Sequence, residues 1–160
     1  MSSRGLTLPV RIQAAAEGGR AVTFVTGGAT PDRVTWAELF DDARAVAAAL
    51  QVRGAGPGSR IAILGPTTRS LVTAIQATWL AGATIVVLPL PMRLSSIEEF
   101  VAQTRRRIRN ADARVCVVDP ELAAFVTPEP GDPPMVGIGD LASGDLATWV
   151  RPPDDPDHLV

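Results

Sequence analysis

Cys116 is the sole thiol and His158 the sole imidazole in this 160-residue sequence. They stand far apart, so no adjacent nucleophile–base pair, disulfide framework, thiolate cage or His–His metal site can be built from them. All 15 basic residues are arginine. Chemistry that needs an amine, such as a Walker-type phosphate lysine or a Schiff base, is therefore excluded. Glu38 is the most prominent acid, but it stands three residues after Thr35, the spacing of a helix capping box. Cys116 sits inside the apolar run VCVV, where a cysteine behaves as a small core residue. His158 has no partner spacing. Arg105, Arg106, Arg107 and Arg109 form a basic run that could dock the phosphates of a carrier protein or of coenzyme A, although a solvated helix face accounts for it more simply. Arg69 and Arg93, near strand ends, could face a nucleotide site.

Two glycine-containing stretches could in principle cradle phosphate. GAGPGS (54–59) follows a helix and precedes a strand, the reverse of what a dinucleotide fingerprint requires, so it reads as a helix-stop loop. ILGPTTRS (63–70) has the strand-to-helix order, and amides at that helix start could hold an anion. With one glycine before a proline, a capped turn is the simpler reading.

The elements that would position these residues can be read from periodicity and turn chemistry. Residues 8–17 suit a short helix. AVTFV (21–25), the turn residues TGGATPDR and then VTW suggest a hairpin. Thr35 and Glu38 open a helix whose stripe is Trp36, Leu39, Phe40, Ala43, Val46, Ala47 and Leu50, with Val34 and Leu39 as a hydrophobic staple. RIAILG (60–65) is a nearly all-apolar strand of the kind covered on both faces. A largely buried helix over 67–80 ends at Gly82, a natural residue just past a helix terminus. TIVVLPL (84–90) is a further buried strand whose prolines mark where pairing ends. Ser95 and Glu98 again have capping-box spacing, ahead of a stripe of Ile97, Phe100, Val101, Thr104, Ile108 and Ala111. ARVCVVD (113–119) is another buried strand, closed by Pro120.

Beyond Val126 the texture changes, because seven of the 14 prolines fall between Pro128 and Pro156. That part reads as loop with a short strand at MVGIG and a helical turn near Asp140. The expected organisation is a helical lead-in (1–19), an α/β subdomain (20–126) and a Pro-rich connection (127–160). Strands alternating with helices predict right-handed βαβ units on a mostly parallel sheet, a three-layer α/β fold with an N-terminal β-hairpin.

Bulk composition narrows the class. Hydrophobic residues make up 46% and charged residues 20%, which suits a globular core rather than disorder. A net charge of −2 argues against a nucleic-acid partner. The N-terminus has no apolar signal-peptide core and no apolar run approaches a bilayer span. The expected setting is a reducing one, the cytoplasm.

With the elements in order, the sequence resembles the N-terminal part of the adenylate-forming superfamily, which comprises acyl-CoA synthetases, fatty acyl-AMP ligases and nonribosomal peptide adenylation domains. Thr35-Trp36-Ala37-Glu38-Leu39 resembles the family's T-Y-x-E-L block. LAGATIVVLPLP (80–91) resembles its L-K-A-G-x-x-x-V-P-L-x-P block, with one extra residue before the prolines. GSRIAILGPTTRSLVTAIQATWLAG and SIEEFVAQTRRRIRNADARVCVVD resemble the units between and after, so the likeness is collinear over about residues 20–120. PLPMRLSSIEEFVAQTRRRIRNADA is most similar to actinobacterial fatty acyl-AMP ligases.

The resemblance implies a parent enzyme that activates a fatty acid with ATP and magnesium and passes the acyl group to coenzyme A or a carrier protein. It also implies that the chemistry lies elsewhere. Nothing here matches the Ser/Thr/Gly-rich phosphate loop ending in lysine, and DDPDHLV resembles the lead-in to it. No catalytic, cofactor-binding or metal residue is assigned to this stretch, and by itself it is expected to bind no cofactor and to make no acyl-adenylate. Its partners are then the remainder of the parent chain, with self-association through uncovered apolar surface. Leu71, Ile75 and Trp79 could contribute to an aliphatic pocket, but like Trp36 they lie on core stripes. The rival expectation is a non-catalytic truncated homologue that binds a lipid or a protein. A nicotinamide-dependent dehydrogenase is disfavoured, since no strand leads into Gly-x-Gly-x-x-Gly.

Overall fold

Three helices end in the same backbone motif, and these stops set the frame of the molecule. The computed structural model describes residues 7–25, 30–90 and 96–155. Helix α2 (Trp36–Val52), α3 (Arg69–Leu80) and α4 (Ile97–Asn110) each pass through one left-handed residue before the next strand. At the end of α3 the N–H of Gly82 donates to the carbonyl of Trp79 and that of Ala83 to Thr78, both at 3.0 Å. This is the paired closure that satisfies the last carbonyls of a helix. Gly82 has φ +81°, and a Cβ there would lie 2.9 Å from the Cβ of Pro152, so both the conformation and the space call for glycine. Gly54 (φ +87°) closes α2 likewise, whereas Asp112 (φ +50°) closes α4 with a side chain that resists this conformation.

Helix α1 (Leu8–Glu17) precedes an antiparallel hairpin of β1 (Ala21–Phe24) and β2 (Asp32–Thr35), registered Ala21 to Thr35 through Phe24 to Asp32. Thr35 then caps α2 as the spacing predicts. Its hydroxyl accepts from the Glu38 N–H at 3.1 Å and its own N–H donates to the Glu38 carboxylate at 2.8 Å. Val34 and Leu39, the expected staple, are both buried.

The second sheet is parallel throughout, in the order β4 (Thr84–Val87), β3 (Arg60–Leu64), β5 (Val115–Val118), β6 (Met135–Gly137). The chain moves from β3 to its neighbour β4, then back across β3 to β5. With right-handed crossovers, that reversal must place the two connecting helices on opposite faces. The side chains show it. Ile61, Ile63, Val115 and Val117 pack with α2 and α3, while Ala62, Leu64, Cys116 and Val118 pack with Phe100 and Ile108 of α4. Alternation along β3 and β5 thus serves two cores at once, and the result is the expected three-layer α/β architecture.

Three local expectations need correction. TIVVLPL is not a buried strand, because β4 is the edge of the sheet among the described residues and its side chains are half-buried, with Val87 57% exposed. Pairing ends where the prolines imply, with the N–H of Leu88 making the last bond, to Ile63. The cap of α4 is Ser96, accepting from the Glu99 N–H at 3.0 Å, one residue later than the Ser95–Glu98 spacing suggests. Ser95 itself lies outside the described residues. Ile97 is exposed rather than buried, since as the first residue of α4 it stands ahead of the turns that reach the sheet.

The Pro-rich region carries the short strand and the helical turn near Asp140 that its sequence implies. After β6 come a four-residue helix, α6 (Ile138–Leu141), and a 3-10 turn at Leu146–Thr148. Trp149, not singled out from the sequence, fastens this segment to the helical layer. Its indole N–H donates to the Leu80 carbonyl at 2.9 Å and its ring meets Phe40 edge-on at 6.4 Å. The Arg44 guanidinium covers both rings, 5.0 Å and 5.7 Å from their centres.

Candidate functional site

In an open parallel sheet, ligands bind beyond the carboxyl ends of the strands, where successive connections diverge. Here that point lies between β3, whose connection runs to β4, and β5, whose connection runs to β6. The crevice is filled. The Asp119 N–H donates to the Leu64 carbonyl at 2.8 Å. A Cβ on Gly65 would lie 3.2 Å from the Asp119 Cβ, 3.3 Å from Leu71 and 3.7 Å from Ile138. The polar groups at these strand ends serve as caps. Thr68 accepts from the Leu71 N–H at 3.2 Å, and Asp119 accepts from the Glu121 N–H at 3.0 Å, opening the short helix α5 (Pro120–Ala123). ILGPTTRS therefore forms the capped turn of the simpler reading.

Beside this edge a groove of about 380 Å³ opens between the first halves of α2 and α3 and the start of α6. Val46, Thr73, Ala74 and Ile138 form its buried floor. Asp41, Asp42 and Arg69 stand on its rim, and no cysteine, histidine or glutamate lines it. Arg69 donates to Asp42 at 2.8 Å and reaches Asp32 at 3.5 Å, joining hairpin, α2 and α3. Its hydrogen bond to Asp42 holds its pKa above the usual arginine value. Asp41 is held by Arg44 at 2.6 Å. The Thr35 hydroxyl and amide lower the Glu38 pKa, so that acid is a fixed carboxylate cap rather than a proton donor. Such a groove can hold and orient an apolar group, but its charged groups are already paired.

The other candidates are likewise structural. Cys116 is fully buried, and burial, helped by the nearby Asp132 charge, pushes its thiol up to about 12. It stays a neutral core side chain. Leu71 is in the core, and Ile75, Trp36 and Trp79 are half-buried. Arg93 and His158 lie outside the described residues. The arginine run divides, which corrects the solvated-face reading for Arg105, whose side chain is 13% exposed, while Arg109 stays exposed although paired. Arg106 and Arg107 are exposed. Arg105 pairs with Glu129 at 2.7 Å and Asp132 at 3.2 Å and donates to the Thr127 carbonyl, while Arg109 pairs with Asp132 at 3.0 Å. The carboxylate partners lie some twenty residues away in a proline-rich loop, and no helical-wheel argument could find them. Among the described residues no three His, Cys, Asp or Glu side chains gather to hold a metal ion, and no helix is long and apolar enough to cross a membrane.

Comparison with known proteins agrees with this geometry. The family model described as AMP-binding enzyme matches residues 11–152. A putative ligase of Mycobacterium tuberculosis, Rv1013, is 28% identical over 131 residues, covering 78% of this chain and 24% of the relative. The solved structure of a fatty acyl-adenylate ligase from L. pneumophila, in complex with acyl adenylate and pyrophosphate, superimposes with a TM-score of 0.76 at 22% identity. It covers 92% of this chain and 26% of that one. The adenylation domain of a keto acid-selecting nonribosomal peptide synthetase module gives 0.74 at 18% identity, over 92% and 29%. The chain thus spans about a quarter of the length of these relatives.

Proposed function

The chain belongs to the AMP-binding enzyme family, and from that premise we propose that it is the N-terminal part of an ATP-dependent ligase that activates a fatty acid. In the reaction proposed for the whole protein, a carboxylate oxygen attacks the α-phosphorus of ATP, expelling pyrophosphate and leaving an acyl-adenylate. The thiol of coenzyme A or a carrier protein then attacks the acyl carbon, forming a thioester as the acyl–phosphate bond breaks and AMP and the thiol proton leave. ATP and magnesium are assigned in this proposal to the parent protein outside the described residues. The observation that carries it is the combination of a switch-point sheet shared with adenylate-forming enzymes and a carboxyl edge whose Thr68, Asp119 and Arg69 are all engaged in caps and ion pairs. Such a piece supplies rigid scaffold, with Arg69 locking the hairpin to α2 and α3. The choice of a fatty acid is supported by the resemblance of residues 89–113 to fatty acyl-AMP ligases.

A second reading, a non-catalytic homologue serving as a lipid- or protein-binding module, is favoured by the paired state of every charged group around the groove. Exchange of radiolabelled pyrophosphate into ATP by the parent protein separates the two. Exchange stimulated by fatty acids supports the proposal, and exchange stimulated only by amino or keto acids redirects the substrate. Absence of exchange with every acid favours the binding module. Robust exchange by the 160 residues alone would overturn the scaffold role.

A further inference from the structure

At the opposite pole of the parallel sheet, where β3 and β5 begin, a cleft of about 440 Å³ opens between the GAGPG loop and the start of β5. Arg60 and Arg114 both line it. They are held side by side by the sheet itself, since the Arg114 N–H donates to the Arg60 carbonyl at 2.7 Å. Gly54 makes room for the second guanidinium: a Cβ on that residue would stand 2.8 Å from both Nε and Nη2 of Arg114. No carboxylate among the described residues pairs with Arg114. The one acid in the cleft, Asp112, reaches only Arg60, at 4.0 Å, and its side chain is 96% exposed. Two guanidinium groups therefore face one loosely held carboxylate, a local positive excess on a protein whose net charge is −2. Arg69, Arg105 and Arg109, by contrast, are each held by carboxylates.

We propose that this cleft binds a phosphate-type oxyanion carried by a small molecule, with Arg60 and Arg114 as its two ligands. Guanidinium groups offer parallel N–H donors that match phosphate oxygens and stay charged at every physiological pH. The cleft volume exceeds that of a lone phosphate and leaves space for the body that carries it. Asp112 opposes the anion electrostatically and so tunes its affinity. The site is independent of the ligase reading and lies at the end of the sheet away from the switch point.

The test is calorimetric titration of the 160-residue chain with inorganic phosphate and, separately, with pyrophosphate, at low ionic strength with chloride as the control. Saturable one-to-one binding is expected for at least one probe, and the preferred probe indicates whether one or two phosphate groups are read. Arg60→Gln and Arg114→Gln should each weaken it roughly tenfold, the scale of one lost charge-assisted contact. Asp112→Asn should tighten it about two- to fivefold by removing an exposed opposing charge. Arg106→Gln, a substitution of an exposed arginine on α4, should change nothing. Circular dichroism of each variant separates lost binding from lost fold. Absence of saturable binding overturns the proposal. So does binding that survives both arginine variants in folded protein, or that weakens in Asp112→Asn.

Discussion

The carboxylate of Asp132 lies 3.2 Å from the Nε of Arg105, with its side chain only 1% exposed while that of Arg105 is 13% exposed. This pair joins the loop after α5 to the outer face of α4 and holds the lead-in to β6. Burial raises the Asp132 pKa, but the Glu129 amide and the guanidinium groups of Arg109 and Arg105 outweigh it, and the net shift is downward.

Removal of that carboxylate should therefore be costly. Asp132→Ala leaves Arg105 shielded from solvent with Glu129 as its remaining carboxylate, and a loss of about 1–3 kcal/mol is expected in denaturant melts. The depressed pKa fixes the sign of the pH dependence. The stabilisation is complete above the unfolded carboxylate value of roughly 3.9 and is lost as pH falls through the lower folded value. Acid titration of the wild type and the variant should converge below that range. Parallel curves would show that the ionisation of Asp132 contributes nothing to the stability.

The left-handed residue that ends α4 invites the opposite kind of substitution. Asp112 adopts φ +50° where α2 and α3 use glycine. Asp112→Gly should stabilise the chain by about 0.5–1 kcal/mol, since relief of the conformation exceeds the added entropy of the unfolded glycine. The ion pair forfeited to Arg60 is long and exposed, and exposed pairs are worth little. A lower melting temperature would show that the Asp112 side chain makes a contribution that its exposure conceals.

Much of this architecture was legible because local chemistry and global fold agree at particular residues. Thr35 and Glu38 announce a cap that forms, and Gly82 announces a stop that only glycine fits. The burial of Cys116 follows from the unbroken apolar run around it. What stayed hidden was non-local. Strand order cannot be read from β4 alone, so an apolar edge strand reads as a buried one. The partners of Arg105 lie in a Pro-rich loop distant in sequence, and the anchoring of Trp149 depends on α2 and α3 together. The candidate groove likewise exists only once three separated helices meet.

Gly144 tests whether the segment after β6 is packed rather than draped. A Cβ there would collide with the carbonyl oxygen of Ala45 and stand 2.9 Å from its carbon, so α2 and this loop touch backbone to backbone. Gly144→Ala should cost about 1–3 kcal/mol, the range for overpacking a tight contact. It should also alter the fluorescence of Trp149, five residues on. A neutral substitution would mean that the loop can shift away from α2 freely.

Cys116 offers an unusually clean reading of alkaline stability. Its ordinary thiol value of 9.0 is pushed up to about 12 by burial, and the sequence contains no tyrosine and, with all 15 basic residues arginine, no lysine. Arginine does not titrate in this range, so the cysteine is the one side chain that ionises between those two values. In the unfolded chain the thiol loses its proton near 9, while in the folded chain it keeps it. The unfolded state is thus favoured progressively across that window, and the stability lost as pH rises has a slope of about 1.4 kcal/mol per pH unit. Denaturant melts from pH 8 to 11 should show this decline in the wild type, and Cys116→Ala, less stable at pH 8, should show a flat profile. A wild-type profile that is already flat would show that the folded thiol ionises as a solvated one does, despite its buried place on β5 against Phe100 and Ile108 of α4.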